Sequence, residues 1–182
     1  MQQAQRFSVA TPATGIAPVR ILMPSPIGPL GVELRSTAVT RVVIDPAAPE
    51  RATFTPLPEM RGGELLDEVC GRLAEYFAGA RRKLDIEWNL GPSGCTGFAR
   101  RVLKEVAKIP YGKTRTFEGL ADATGRSEAL PQVLAALLTN PIPIVIACHR
   151  VIAANGGLGG YVAGVERKRW LLAAESSPRP EP

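Results

Sequence analysis

The chain has 182 residues, 45% of them hydrophobic, and 22 Lys and Arg against 17 Asp and Glu give a formal charge of +5. That length builds one ordinary domain or two small ones, and no apolar stretch approaches the roughly 20 residues that cross a bilayer, which excludes a helical membrane protein. The N-terminus lacks a signal-peptide pattern, so the expected setting is the cytoplasm, where three cysteines stay reduced; with one histidine and no metal-type spacing, no zinc set is expected. The basic balance suits a polyanionic partner.

Residues 1–17 carry no period and are expected as a disordered tail, as are residues 176–182. Residues 18–91 are expected to form an N-terminal α+β domain. In it, Val19–Met23, Leu30–Leu34 and Val39–Ile44 read as three short strands of a meander, split by the turn residues Pro24 to Pro29. Residues 46–58 read as loop. From Glu64, the apolar residues Leu65, Leu66, Val69, Cys70, Leu73 and Phe77 recur at steps of three and four, which predicts an amphipathic helix ending near Gly79 with Cys70 in its core stripe. Arg81 to Lys83 reads as a solvated turn, and Leu84–Leu90 alternates as a strand does.

Residues 92–175 are expected as a mainly helical C-terminal domain. Thr96 can cap a helix from Phe98 to about Lys108, with Phe98, Val102, Leu103 and Val106 inward. Thr116 caps a short helix, Phe117 to Ala123, which Gly125 stops. A third segment opens at Ser127, or near Leu130 because Pro131 fits only a first turn, and ends at Thr139. Two short helices around a glycine turn have helix-turn-helix spacing, and on pattern alone a plain packed hairpin fits equally well. A strand over Ile144–Ala147 would then present Cys148 at a pocket floor, and a last helix runs from Val165 to Glu175.

The chemistry concentrates between Asn140 and Tyr161. An apolar run delivers Cys148, the chain's one histidine His149 and Arg150 as a tripeptide, and glycines at 156, 157, 159 and 160 follow. A free thiol titrates near about 8.5, so Cys148 is a nucleophile only if a base makes it a thiolate. His149 can be that base if a turn or a water relay joins two side chains that an extended segment would point apart. The other reading is a buried structural cysteine beside a hydrogen-bonded histidine. Glu175, in the last turn of its helix, opposes the helix dipole, and orienting a histidine would explain it.

Three stretches together, Asn140–Val151, Gly159–Gly164 and Glu166–Glu175, resemble the active-site half of the O6-alkylguanine-DNA alkyltransferases, and the similarity runs without a gap from about Phe98 to Glu175. The resemblance implies repair of double-stranded DNA through its minor groove, by a protein acting once and as a monomer without a cofactor. It implies that Cys148, activated through His149 and Glu175, takes the alkyl group from O6-alkylguanine, or from O4-alkylthymine, while Asn140 braces the loop. The flipped base would meet the backbones of Cys148, Val151 and Val162, with Tyr161, Gly160 and Phe117 lining the pocket. DNA contacts would come from Arg126, Ser127, Ala129, Pro131, Gln132 and Arg150.

The chain also departs from that pattern. Phe117 stands where the family has a tyrosine whose hydroxyl assists flipping, and Pro131 where it has an arginine finger. Leu134 replaces a glycine, Leu138 a frequent arginine, and Ala147 the proline before Cys148. Arg126, Lys113 or Arg115 is the expected substitute for the finger. These departures keep two alternatives open: a DNA-lesion-binding protein with weak transfer, and a thiol acceptor for a small electrophile without DNA.

Overall fold

The computed structural model describes residues 17–57, 63–95 and 97–177. Most of both expected tails (residues 1–16 and 178–182) and the expected cap Thr96 lie outside the described residues. The first half is built on β1 (Val19–Met23), β2 (Leu30–Arg35) and β3 (Ala38–Ile44), paired antiparallel in sequence order. The sheet has four strands rather than three, ordered β3-β2-β1-β4, because the stretch expected as loop brings β4 (Thr55–Pro56) parallel to β1. A helical turn, α1 (Ala48–Arg51), and the buried Phe54 redirect the chain to that edge.

The helix α2 (Glu64–Phe77) buries Leu66, Val69, Cys70, Leu73 and Tyr76 in one apolar cluster with the sheet; Tyr76 lies outside the expected stripe, and Leu65 and Phe77, which belong to it, are half-buried. Glu64 and Asp67 in its first turn favour the helix dipole. The expected strand over residues 84–90 is not formed. Asp85 takes a φ of 50°, which breaks the extended run, and Trp88 alone bridges to Val39.

In the second half, α3 (Gly97–Val106), α4 (Phe117–Ala123) and α5 (Leu130–Leu138) pack on one another. The Thr116 side chain accepts a 3.0 Å hydrogen bond from the Gly119 amide, capping α4. The α5 helix starts at Leu130, not Ser127, since Pro131 must lie in its first turn, and residues 126–129 form a turn closed by Ala129 N–H to Arg126 C=O at 3.0 Å. A parallel pair, β5 (Arg115–Thr116) with β6 (Val151–Ile152), ties the start of α4 to the segment after Cys148.

The run Ile144–Ala147 is not a strand. Ile146 N–H bonds back to Ile142 C=O at 2.9 Å, Cys148 N–H to Ile146 C=O at 2.8 Å, and Ile144 is left-handed at φ 74°. The run is apolar because it is a buried turn, and Cys148–Arg150 continue it as one 3₁₀ turn. Helix α6 (Val165–Ser176) closes the second half. One apolar cluster runs from Ile21 and Val32 in the sheet, through Leu73 of α2 and Leu103 of α3, to Leu171 of α6. No helix among the described residues is long and apolar enough to cross a membrane.

Candidate active site

The 3₁₀ turn at Cys148–Arg150 puts both Cys148 and His149 inside the protein, which the expected strand would not. Asn140, buried at the end of α5, holds this turn from two sides. Its Oδ1 accepts the Ile142 amide at 3.0 Å, and its Nδ2 donates to Ile146 C=O at 2.8 Å and to Cys148 Sγ at 3.1 Å. Burial pushes the Cys148 thiol up to about 11, against the Asn140 hydrogen bond and the charge of Lys168, which both favour the thiolate.

His149 is fully buried. Burial holds its imidazole below the usual value, against the pull of Glu175, so the ring is neutral. Its Nε2 lies 2.9 Å from Glu175 Oε1, an acceptor, so the ring proton sits on Nε2. That tautomer leaves Nδ1, which has no protein partner, as a bare lone pair.

Glu175 is the most heavily bonded group of the site. Burial would raise its carboxyl, but hydrogen bonds from His149 and Arg150 outweigh burial and hold it well below the usual carboxylate range. Arg150 donates from Nε at 2.9 Å to Oε2 and from Nη2 at 2.8 Å to Oε1, a bidentate fork. The Gly112 amide adds 3.0 Å to Oε2, and the Tyr76 hydroxyl 2.7 Å to Oε1. Gly112 takes φ 68°, where its Cβ would stand 3.1 Å from the Glu175 carbonyl, so glycine is needed there.

Arg150, expected at the DNA, turns inward instead. Its three nitrogens serve Glu175 and the Ile109 carbonyl, and its guanidinium lies 5.8 Å over the Tyr111 ring.

Two residues of the site were not anticipated. Lys168 is wholly buried, and its Nζ donates to Val151 C=O at 2.6 Å, Gly160 C=O at 3.4 Å and Leu158 C=O, tying the glycine loop to α6. Burial draws it down to about 8, with Cys148 acting to raise it. One signal was available: Lys168, Leu171 and Glu175 share one helical face at steps of three and four. Tyr76 belongs to the buried stripe of α2, but nothing local marks it as polar contact rather than packing.

Around this core, Tyr161 is buried edge-on to His149 with ring centroids 6.3 Å apart, and its hydroxyl lacks a protein partner. Phe117 is buried below Lys168 Nζ, 5.5 Å from its ring centre. A Cβ on Gly159, at φ 64°, would stand 2.7 Å from Phe117 Cζ, so the loop passes over the ring only because residue 159 has no side chain. A cleft of about 250 Å³ opens beside Asn140, bounded by Leu138, Pro143, Val162 and the β3 segment from Arg41. Val162, Leu134 and Leu138 are exposed.

Of the other residues expected at DNA, Ser127, Pro131, Gln132 and Arg126 are exposed and Ala129 is buried. Among the described residues, the cations outside any ion pair, apart from buried Lys168, are Arg82, Arg100, Arg101, Lys104, Lys113 and Arg126. None of them is on α5. Arg126 and Arg101 both lie against Phe98, at 5.4 and 5.7 Å, while Arg115 faces Glu105 at 4.0 Å.

A buried thiol near a neutral histidine, itself held by a carboxylate, has the parts of a cysteine-nucleophile protein. Residues 97–177 match the family described as 6-O-methylguanine DNA methyltransferase, DNA binding domain. The methylated-DNA–protein-cysteine methyltransferase of Mycobacterium tuberculosis is 39% identical over 158 residues, 86% of this chain and 91% of that protein. The crystal structure of the O6-methylguanine methyltransferase of that organism superposes with a TM-score of 0.76 at 36% identity, covering 90% of this chain and 96% of the other. A structure from the same species in complex with DNA gives 0.73 at 35% identity, over 86% and 92%. The chain belongs to the methylated-DNA–protein-cysteine methyltransferase family.

Proposed function

We propose that this protein repairs DNA by moving the alkyl group of O6-alkylguanine onto Cys148. The observation that carries the assignment is the Cys148–His149–Glu175 arrangement, with the imidazole proton committed to Glu175 and Nδ1 left as a base. Nδ1, through a bridging water, takes the thiol proton. Sγ then attacks the alkyl carbon in line, the bond from that carbon to guanine O6 breaks, and its electron pair leaves with the base, which the His149 proton neutralises. The products are a thioether and guanine. Nothing in the site regenerates a thiol from a thioether, so each molecule acts once.

Asn140 and Lys168 favour the thiolate that burial alone would oppose. Lys168 and Asn140 also fix the two walls, the glycine loop and the cysteine turn, between which a flat base would enter. The backbones of Cys148 and Val162 are the donors and acceptors assigned to its edge, with Tyr161, Gly160 and Phe117 lining it. Double-stranded DNA, met through the minor groove, is the partner, and the protein acts as a cytoplasmic monomer. Residues 18–91 would support the acceptor domain of residues 92–175.

One observation favours a second reading, a lesion-binding protein with weak transfer. The exposed face of α5 carries Pro131, Leu134 and Leu138 and no cation. Intact-protein mass decides between them. After incubation with a duplex holding one O6-methylguanine, the native chain should gain one methyl and a Cys148→Ala variant none. A native chain with no added mass, from the duplex or from free O6-benzylguanine, refutes alkyl transfer.

A further inference from the structure

The groups of the site come from the second half of the chain with one exception. Tyr76 belongs to α2, 99 positions before Glu175, and the rest of that helix's buried face is Leu66, Val69, Cys70 and Leu73, which pack in the apolar core. At the end of this stripe the chain places an oxygen. We propose that Tyr76 is a positioning residue of the alkyl transfer, its hydroxyl acting through Glu175 to keep the His149 imidazole neutral with Nδ1 free.

The inference rests on the transfer reading above and on three contacts that meet at one atom. Glu175 Oε1 receives the Tyr76 hydroxyl at 2.7 Å, His149 Nε2 at 2.9 Å and Arg150 Nη2 at 2.8 Å. The hydroxyl also lies 3.5 Å from Nε2. A phenol has one proton, and here it goes to the carboxylate, since Nε2 carries its own. Packing does not require that oxygen. The Tyr76 ring meets Phe77 and Tyr111 edge-on, at 5.3 and 6.0 Å, as a phenylalanine ring would.

The consequence for His149 follows from charge. Each donor on Oε1 draws off carboxylate charge, so the Tyr76 hydroxyl weakens the pull of Glu175 on the Nε2 proton. Remove it, and the carboxylate stabilises imidazolium more strongly, which consumes the base at neutral pH. The other ionisable groups that act on His149 are Arg150 in its own turn and Lys168 on α6, both of which oppose its protonation. Cys148 and Tyr161 face the same space. Tyr76 itself faces Glu175, Arg150 and Tyr161 and stays protonated, held well above the usual phenol range by burial first and the carboxylate second.

The test measures labelling of Cys148 by free O6-benzylguanine between pH 5 and 9, by intact mass, with the full chain and a Tyr76→Phe variant. The expected result is a rate lower by a few-fold at neutral pH and by up to roughly ten-fold on the acid side, the equivalent of one hydrogen bond. The acid limb of the profile moves to higher pH, and the fraction finally labelled is unchanged. Site-specific fluorotyrosine at position 76 keeps the ring and makes the hydroxyl a stronger donor, so the limb should move the other way, which keeps the test open if Tyr76→Phe does not fold. A limb that stays in place in both variants, with any loss confined to the labelled fraction, assigns Tyr76 to packing and overturns the inference alone. A native chain that labels at no pH overturns the inference together with the transfer reading.

Discussion

The pocket around Cys148 and the outer face of α5 are neighbours built on opposite terms. In the pocket, buried polar atoms are bound to one another: Asn140 to Cys148, His149 and Arg150 to Glu175, Lys168 to loop carbonyls. On α5, Leu134 and Leu138 stand 38% and 49% exposed, with no ionic group between Leu130 and Leu138. A site whose groups must agree with each other tolerates little change. The outer face of α5 has no such internal ties, and it carries none of the arginines that the resemblance to the alkyltransferases implies there.

The sharpest break of that contrast is Glu175→Gln. It strips Arg150 of a buried counter-charge and His149 of its anchor, so the expected outcome is loss of Cys148 labelling and a stability loss of about 3–5 kcal/mol, read by urea unfolding. Next is Asn140→Ala. With the donor to Sγ gone, the thiol rises further, and labelling should slow by roughly ten-fold while the free energy of unfolding falls by about 1–3 kcal/mol for the backbone groups left unpaired.

Acid should loosen the pocket before it affects α5, and the sign is the same for both titrating groups. His149 is held below 6.5 by burial, so as pH falls through that value the unfolded chain binds a proton that the folded chain refuses. Glu175 is held below 4.5, so the stability it supplies is complete above that value and drains away beneath it. Thermal midpoints should fall steadily from about pH 6.5 downward, and a flat profile to pH 4 would contradict the buried neutral histidine. The smallest effect belongs to the surface. Leu134→Arg should raise transfer from a methylated duplex by a few-fold, roughly one surface charge contact, and leave labelling by free O6-benzylguanine unchanged. An equal change in both would place Leu134 in the pocket's business.

Periodicity read α2 because the helix buries a face along its own length, a cap and a glycine stop read α4, and turn residues marked off the three main strands. Periodicity failed where partners are distant or brief. The β4 strand is two residues set against β1, and residues 84–90 alternate without a strand because Asp85 turns the backbone. Ile144–Ala147 looked extended because a buried turn and a buried strand are equally apolar, and only the φ of Ile144 separates them. In the site, Cys148 and His149 stood out as adjacent residues and Glu175 as a carboxylate set against a helix dipole, while Asn140 was named only through the alkyltransferase resemblance. Lys168 and Tyr76 were not legible, since a lysine among arginines and a tyrosine in an apolar stripe acquire meaning only from what the fold brings opposite them.

The bare Cα of Gly159 over Phe117 makes the ring and the loop a matched pair, though 42 positions separate them in the sequence. The ring atom nearest that glycine is the para carbon, where a tyrosine would carry its oxygen. A side chain at position 159 would collide with the ring, so the loop can lie flat on Phe117 only while residue 159 is glycine.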